Sequence, residues 1–356
     1  MSSRYSTMKI FHFAEKLDSL LPEVAEIQPP IHIRIKPTNV CNHHCWYCAY
    51  RTPELQLGKD MVIRDQIPRE KMAEIVADVA ALGVKAVTFS GGGDPFVYPY
   101  LLETARRLAD SPVRFASLTN GARLCGEVAE VFAHNATWVR VSIDGWDDES
   151  YAKYRNTKIG EFSKVVQNIE AFARLGGGCH LGVSVIVDRG NAGHVLELVR
   201  RLKDAGVASA KVSPCIVSND RSETNAYHAN ISSIVEEQIR RAKEELAGDG
   251  FDIHNAYHAQ LTTFAKEYSW CPYLQILPVI GADLNVYSCQ DKAYNLDSGL
   301  IGSIKDRRFA DFWMADKSKF FRIDPSRDCN HHCVAHAKNQ SVFGYLEADP
   351  DHLGFV

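Results

Sequence analysis

Ten cysteines stand in a chain of 356 residues, and seven of them are placed where they could act together. Cys41, Cys45 and Cys48 form C-x3-C-x2-C on one short stretch. Thiolates are soft ligands suited to iron–sulfur centres. Three of them can hold three irons of a cubane cluster and leave the fourth iron open to another molecule. The same residues also allow a zinc site completed by His43 or His44, or three packed thiols without metal. Cys271, Cys289, Cys329 and Cys333 form a second set near the C-terminus. The pentapeptide Cys-Asn-His-His-Cys occurs in both sets, at 41–45 and 329–333, but the second copy has His336 where the first has Cys48. No repeat surrounds the copies, so they read as two different sites and not as a duplication. Cys125, Cys179 and Cys215 are scattered, the ordinary placing of a small buried apolar residue.

Composition narrows the setting. Hydrophobic residues make up 46% and charged residues 24%, with a formal net charge of -4 and no long run of one sign. Neither a nucleic acid nor an anionic membrane is an expected partner. No apolar run approaches the roughly 18 residues that span a bilayer. The N-terminus lacks an apolar signal core, so a cytoplasmic protein is expected. There, clustered cysteines bind metal or do chemistry more often than they form disulfides.

The elements that must position these residues form a series. Apolar β-rich runs at 31–35, 85–90, 113–119, 137–143, 180–187 and 209–214 alternate with helical patterns at 68–83, 98–109, 124–134, 161–175 and 192–205. In the first helix Met72, Ile75, Val76 and Val79 share a face, Pro68 suits an early position and Gly83 a C-cap. Apolar strands separated by single helices indicate a parallel sheet covered by helices. Six such units make an α/β fold, a partial (β/α)6 TIM-like barrel. Its polar loops follow strands 1 to 4: Lys36–Cys48, Ser90–Pro95, the turn at Asn120, and Ser142–Gly145. All four lie at C-terminal strand ends, where such folds collect their active sites. Residues 247–250 (Ala-Gly-Asp-Gly) break the pattern. We expect an N-terminal extension over 1–30, the barrel over 31–250, and a small cysteine-rich unit over 251–356 that a metal cluster would staple.

The first cysteine motif, with Tyr47 before its last cysteine, lies on the loop after strand 1 and resembles that of the radical S-adenosylmethionine (radical SAM) superfamily. "SGGGDP" at 90–95 resembles the family's Gly-Gly-Glu loop, with Asp94 in place of Glu, and 141–172 resembles the fourth-strand segment. The likeness covers about 31–215. It implies that Cys41, Cys45 and Cys48 ligate a catalytic [4Fe-4S] cluster whose open iron chelates S-adenosylmethionine. Reductive cleavage would then give a 5′-deoxyadenosyl radical that abstracts a substrate hydrogen atom. It further implies that Tyr47 lies against the adenine and that Gly91, Gly92, Gly93 and Asp94 line the methionine. Ser142 and Asp144 would make polar contacts, Arg155 would pair with the methionine carboxylate, and Asn120 is a further ligand candidate. An electron donor such as flavodoxin or ferredoxin is implied as well. The order of Cys271, Cys289, Cys329 and Cys333 resembles the family's auxiliary-cluster extensions, and four cysteines match the one-cluster "twitch" form rather than the two-cluster SPASM form. A second [4Fe-4S] cluster is the implied occupant, with a zinc site the rival and His336 a substitute ligand. The longer form has a glycine five residues before its second cysteine, where this chain has Leu284.

Three reactions remain open at this level. One is oxidation of a small molecule such as a sugar, cyclitol or nucleotide-sugar alcohol. About 30 residues before the first strand are too few for a leader-peptide module, which favours this one. Another is a redox-neutral epimerisation with Cys215, at the end of strand 6, as hydrogen-atom donor. The third is maturation of a ribosomal peptide. His254, Tyr257 and His258 are candidate substrate contacts.

Overall fold

The structure is a computed structural model that describes residues 5–55, 57–248, 250–261 and 265–355. One sheet of ten strands carries it, in the order β10-β9-β8-β1-β2-β3-β4-β5-β6-β7. Strands β1 (His32–Ile35), β2 (Ala86–Phe89), β3 (Arg114–Thr119), β4 (Trp138–Ser142), β5 (His180–Val187) and β6 (Ser209–Pro214) fall on the six expected runs. They pair in parallel, each with its neighbour in sequence. The intervening helices include Arg69–Ala81, Leu101–Ala109, Gly126–Asn135, Glu161–Arg174 and Val195–Asp204. The α/β, partial-barrel expectation therefore holds.

The strands alternate in a way that separates two faces. Ile33, Ile35, Val87, Phe89, Phe115, Val139, Val141, Val183, Val185 and Val212 are buried in one hydrophobic core. Met72, Ile75, Val76 and Val79 of the first helix join it, the face expected from their spacing. Burial of such a side chain contributes about 1.5–3 kcal/mol. The alternate residues face the concave side and are more polar. His32 and Arg34 come from β1, Arg140 and Ser142 from β4, Ser184 from β5, and Lys211 from β6.

Three features depart from the sequence reading. A seventh strand, β7 (Asp252–Asn255), pairs in parallel with β6, so the proposed division at 250 falls inside one continuous sheet. β8 (Val279–Ile280) pairs in parallel with β1 and begins a short antiparallel ribbon with β9 (Asn285–Tyr287) and β10 (Leu300–Ser303). The cysteine-rich tail is thus built onto the β1 edge of the barrel. Finally, a helix over Asp148–Arg155 was not foreseen, although its signal is in the sequence: Asp147 and Ser150 form a reciprocal capping box. Asn156 ends that helix in the left-handed conformation, φ 47°. The N-terminal extension packs back on the molecule. Ile10, Leu17 and Leu20 share a cluster with Ile276 and Val342, and the Tyr5 hydroxyl accepts from Arg140 at 2.7 Å.

Candidate active site

The loop after β1 is held from two sides. Its lead-in, Thr38–Val40, packs on the glycine loop: Gly93 N–H donates to Thr38 O at 3.1 Å and Asp94 N–H to Val40 O at 3.0 Å. A Cβ on Gly93 would lie 1.9 Å from Val40 O, and one on Gly92 2.3 Å from Asn39 Oδ1. The glycines are needed for this close approach of two loops. On the other side, His44 N–H donates to Arg155 O at 2.9 Å and Trp46 N–H to Tyr154 O at 3.3 Å, which ties the cysteine loop to the end of the Asp148–Arg155 helix.

Asp94 is a brace between loops. Its carboxylate accepts from Phe96 N–H at 2.8 Å, Thr119 Oγ1 at 3.0 Å and Asn120 N–H at 2.6 Å. Burial pushes its pKa up, and those donors pull it back. Asn120 in turn reaches the cysteine loop, donating to Asn42 Oδ1 at 2.8 Å and toward Cys41 Sγ at 3.9 Å. A second lattice joins Tyr47, Asp144, Arg155 and Ser142. Tyr47 OH and Arg155 both donate to Asp144, Arg155 donates to Ser142 Oγ at 3.0 Å, and Ile186 N–H caps the other Asp144 oxygen at 2.7 Å. Asp144 and Arg155 are 0% and 3% exposed, and Arg155 Nε has no partner. Asp94 and Asn120, with Gly92 and Gly93 packed on the lead-in, thus belong to one network beside the cysteine loop, and Tyr47, Ser142, Asp144 and Arg155 to the other.

Cys41, Cys45 and Cys48 are free and partly exposed. Burial, then the neighbouring Asp94, pushes the Cys41 thiol up to about 11, and burial raises Cys48 as well. Such thiols become thiolates when a cation replaces the proton. The His43 amide donates to Cys41 Sγ at 3.5 Å, the kind of N–H···S contact that tunes a cluster ligand. Among the described residues no three His, Cys, Asp or Glu side chains close on a point as the ligands of one ion do. A four-iron cluster holds its thiolates further apart. His43 is buried against Tyr151 and Glu161, and His44 meets Arg51, so both have work apart from ligation.

The C-terminal thiols act on one another's charge. Cys289 lies within electrostatic reach of Cys271, Cys329 and Cys333, and burial followed by Asp291 and these thiols raises its pKa well above the usual range. Two lysines missed by sequence reading sit beside them. Lys266 Nζ donates to Cys329 O at 2.6 Å and to His331 O, while Lys292 Nζ donates to Ser298 Oγ at 2.7 Å and to Asp328 O. Buried cations here offset thiolate charge, which fits a four-thiolate cluster. Asn339 Nδ2 donates to Cys271 Sγ at 3.3 Å. His336 stacks on Tyr268 and meets its hydroxyl at 3.2 Å. Leu284 takes φ 63°, a conformation that glycine adopts without strain.

A third missed residue links the two sets. Lys36, fully buried at the end of β1, donates to Gly91 O at 2.9 Å and to Tyr50 OH. Burial, then Arg34, drives its pKa well down, while Asp291, Cys289 and Cys48 pull it up. The remaining candidates separate. Cys215 is buried, and its thiol is pushed far up by burial and by Asp188 and Asp144. His254 stacks on Tyr5 inside the barrel at 4.0 Å. Tyr257 is locked to His228 at 2.7 Å, and His258 meets Ser232 at 3.3 Å.

Comparison with known proteins agrees with this geometry. Residues 35–202 match the radical SAM superfamily. A GTP 3',8-cyclase of Rhizobium leguminosarum is 26% identical over 149 residues, 41% of this chain and 40% of the relative. An S-adenosylmethionine-dependent nucleotide dehydratase of Lacinutrix mariniflava is 30% identical over 123 residues, 34% and 24% of the two chains. The chain thus spans less than half the length of these curated relatives. Among solved structures, Streptococcus suis SuiB bound to its precursor peptide SuiA superposes with TM-score 0.63 at 14% identity, over 89% of this chain and 72% of that one. The structure of anSMEcpe with bound AdoMet superposes with TM-score 0.58 at 18% identity, over 89% and 93%. Residues 35–202, just under half of the chain, thus carry a region that matches the radical SAM superfamily, whose members use a [4Fe-4S] cluster and S-adenosylmethionine.

Proposed function

We propose that this chain dehydrogenates a small-molecule alcohol held in the barrel mouth, between a catalytic cluster on Cys41, Cys45 and Cys48 and an auxiliary cluster on Cys271, Cys289, Cys329 and Cys333. The carrying observation is Lys36, whose ammonium is within electrostatic reach of Cys48 and Cys289. Lys36 also contacts Tyr50, two residues past Cys48, and the Gly91 carbonyl of the glycine loop, which supports a reading in which both thiol sets act near one buried residue. Bound there, the cofactors supply reductive cleavage of S-adenosylmethionine, abstraction of a C–H hydrogen atom, and acceptance of the second electron. Conversion of an alcohol to a carbonyl also releases the hydroxyl proton, which completes the two-electron balance.

The chain's own residues bind and orient. Tyr47, Ser142, Asp144 and Arg155 form one wall for S-adenosylmethionine, and Gly91, Gly92, Gly93, Asp94 and Asn120 the other. The cyclase and nucleotide dehydratase among the sequence relatives support a small-molecule substrate over a peptide. Anaerobic reconstitution tests the reading. Wild type should carry about eight irons and form 5′-deoxyadenosine on reduction. About four irons with zinc in the tail would remove the auxiliary electron acceptor and sink the oxidation.

Cys215 supports a second reading. Burial, with the charges of Asp188 and Asp144 adding to it, keeps its thiol protonated, as the hydrogen-atom donor of an epimerase would be. Deuterium incorporation from D2O into product that disappears in Cys215→Ala would favour it.

A further inference from the structure

We propose that the concave face of the barrel holds an anion subsite, built by Arg34, Arg140 and Lys211, that takes the phosphate groups of a phosphorylated small-molecule substrate. This rests on the proposed function for its catalytic meaning, but the site itself is read from charge placement. The three cations rise from β1, β4 and β6 and face inward by strand alternation. Each retains partial exposure although it lies on a strand inside the sheet, so each borders open space.

Their partners are the telling point. Among the described residues Arg34 and Lys211 make no side-chain hydrogen bond or ion pair, and Arg34 Nε is buried without a partner. Arg140 has one hydrogen bond, to Tyr5 OH at 2.7 Å, and its Nε is also unpartnered. Lys211 feels the repulsion of Arg140, Arg34 and Lys338, with Asp291 the opposing charge, and burial with these neighbours pushes its pKa down to about 8. His254 faces the same group from β7 and His332 from the tail. Unpaired cations so enclosed are costly unless an anion completes them. Arginine forks suit phosphate oxygens in particular, and two arginines with a lysine suit more than one negative charge. Gly182 lies beside Arg140 in the register, where a Cβ would crowd Ser209 Oγ at 2.9 Å and sit 3.8 Å from Arg140 Nε. Ser184 pairs with Lys211 in register and adds a hydroxyl to the wall.

The experiment measures binding of inorganic pyrophosphate, uridine diphosphate and uridine to anaerobically reconstituted protein by calorimetry. Pyrophosphate and uridine diphosphate should bind, uridine should bind at least tenfold more weakly, and Lys211→Met should weaken both phosphates at least tenfold. Lys211→Arg should restore most of the affinity. Pyrophosphate should raise the Tm of wild type but not of Lys211→Met, whose own Tm should exceed that of ligand-free wild type because an unpaired cation is gone. Equal affinity in wild type and Lys211→Met, or none in wild type, overturns the subsite. The functional reading fails separately. Wild type that binds phosphate but forms no 5′-deoxyadenosine leaves the subsite standing and removes the proposed reaction. The converse result removes the subsite alone.

Discussion

The same five residues, Cys-Asn-His-His-Cys, are built into opposite surroundings at their two positions. At 41–45 the peptide lies on a glycine loop and against the Asp148–Arg155 helix, beside three polar side chains that hold one another: Asp144, Arg155 and Tyr47. It contributes to a set of three thiols, one short of what a cubane takes. At 329–333 the peptide is gripped through its carbonyl oxygens by the buried Lys266, with Lys292 beside it, and completes a set of four. The ligand peptide is therefore a poor guide to the job. The third thiol of one copy, the lysines of the other, and the element each follows, a barrel strand for the first and the short helix Pro325–Asp328 for the second, distinguish an open site from a closed one.

The strongest test of that contrast removes each thiol set in turn. Cys41→Ala/Cys45→Ala/Cys48→Ala should drop iron from about eight to about four per chain and abolish 5′-deoxyadenosine formation. Its Tm should stay within a few degrees, since the loop and its lead-in are held by backbone contacts to 93–94 and 154–155. Cys329→Ala/Cys333→Ala should also lose about four irons. Here the Tm should fall sharply, because the tail depends on its staple. Equal loss of stability in the two variants would erase the distinction between an open working site and a closed supporting one.

The lysines sharpen it further. Lys292 is 1% exposed and its ammonium spans Ser298 and Asp328 beside Cys289 and Cys329. Lys292→Met should cost about 2 kcal/mol in chemical denaturation, as charged hydrogen bonds do. It should also lower the midpoint potential of the auxiliary cluster, because lost positive charge disfavours the added electron. A redox titration that finds the potential unmoved would show that Lys292 only packs.

Much of this was visible in the chain before folding, and the remainder fails for identifiable reasons. The spacing of Cys41, Cys45 and Cys48 and the alternation of strands with helices are local, and they survive into the structure. The Asp147–Ser150 box was equally local and was overlooked. β7 was not readable as a strand of the barrel: Asp252–Asn255 is short, all but Ile253 are polar, and it follows a break. Asp94 is a different case: its bond from Phe96 N–H is a local cap, but Thr119 and Asn120, its other donors, come from the end of β3, and no local pattern announces a brace. Lys36, Lys266 and Lys292 share that difficulty, because a lysine in sequence reads as solvated until its neighbours are known. Arg34, Arg140 and Lys211 did carry a signal. Each interrupts an apolar strand at an alternate position, and in a helix-covered parallel sheet that position faces inward.

Between the two cysteine sites, the barrel interior can be probed by pH. Lys211 titrates near 8 in the free protein because burial and Arg140, Arg34 and Lys338 oppose its charge. A bound phosphate favours the charged form and raises that pKa. Pyrophosphate affinity should thus be constant below about pH 8 as far as Lys211 is concerned and fall by up to about tenfold per unit above it. In ligand-free protein the sign is reversed. Between about pH 8 and the ordinary lysine range the unfolded chain binds the extra proton, so stability rises with pH. Both trends should be lost in Lys211→Met. Affinity that keeps its slope in that variant would assign the titration to another group.

The smallest effect compares how the two regions handle a tight backbone. The first uses glycine, where any side chain on Gly93 would collide with Val40. The second places Leu284 at φ 63° in the β8–β9 turn, its carbonyl accepting from Ile304 N–H at 2.9 Å and from Ser303 Oγ at 3.2 Å. A left-handed non-glycine residue costs about 1–2 kcal/mol, and here partial packing of the leucine against the core offsets some of it. Leu284→Ala loses that packing and keeps the strain, whereas Leu284→Gly loses the packing and relieves it. Leu284→Gly should therefore be more stable than Leu284→Ala by about 1 kcal/mol in denaturant unfolding, less the greater freedom of glycine in the unfolded chain. If alanine is the more stable of the two, the turn is not strained, and the contrast between a glycine-built site and a leucine-tolerant one disappears.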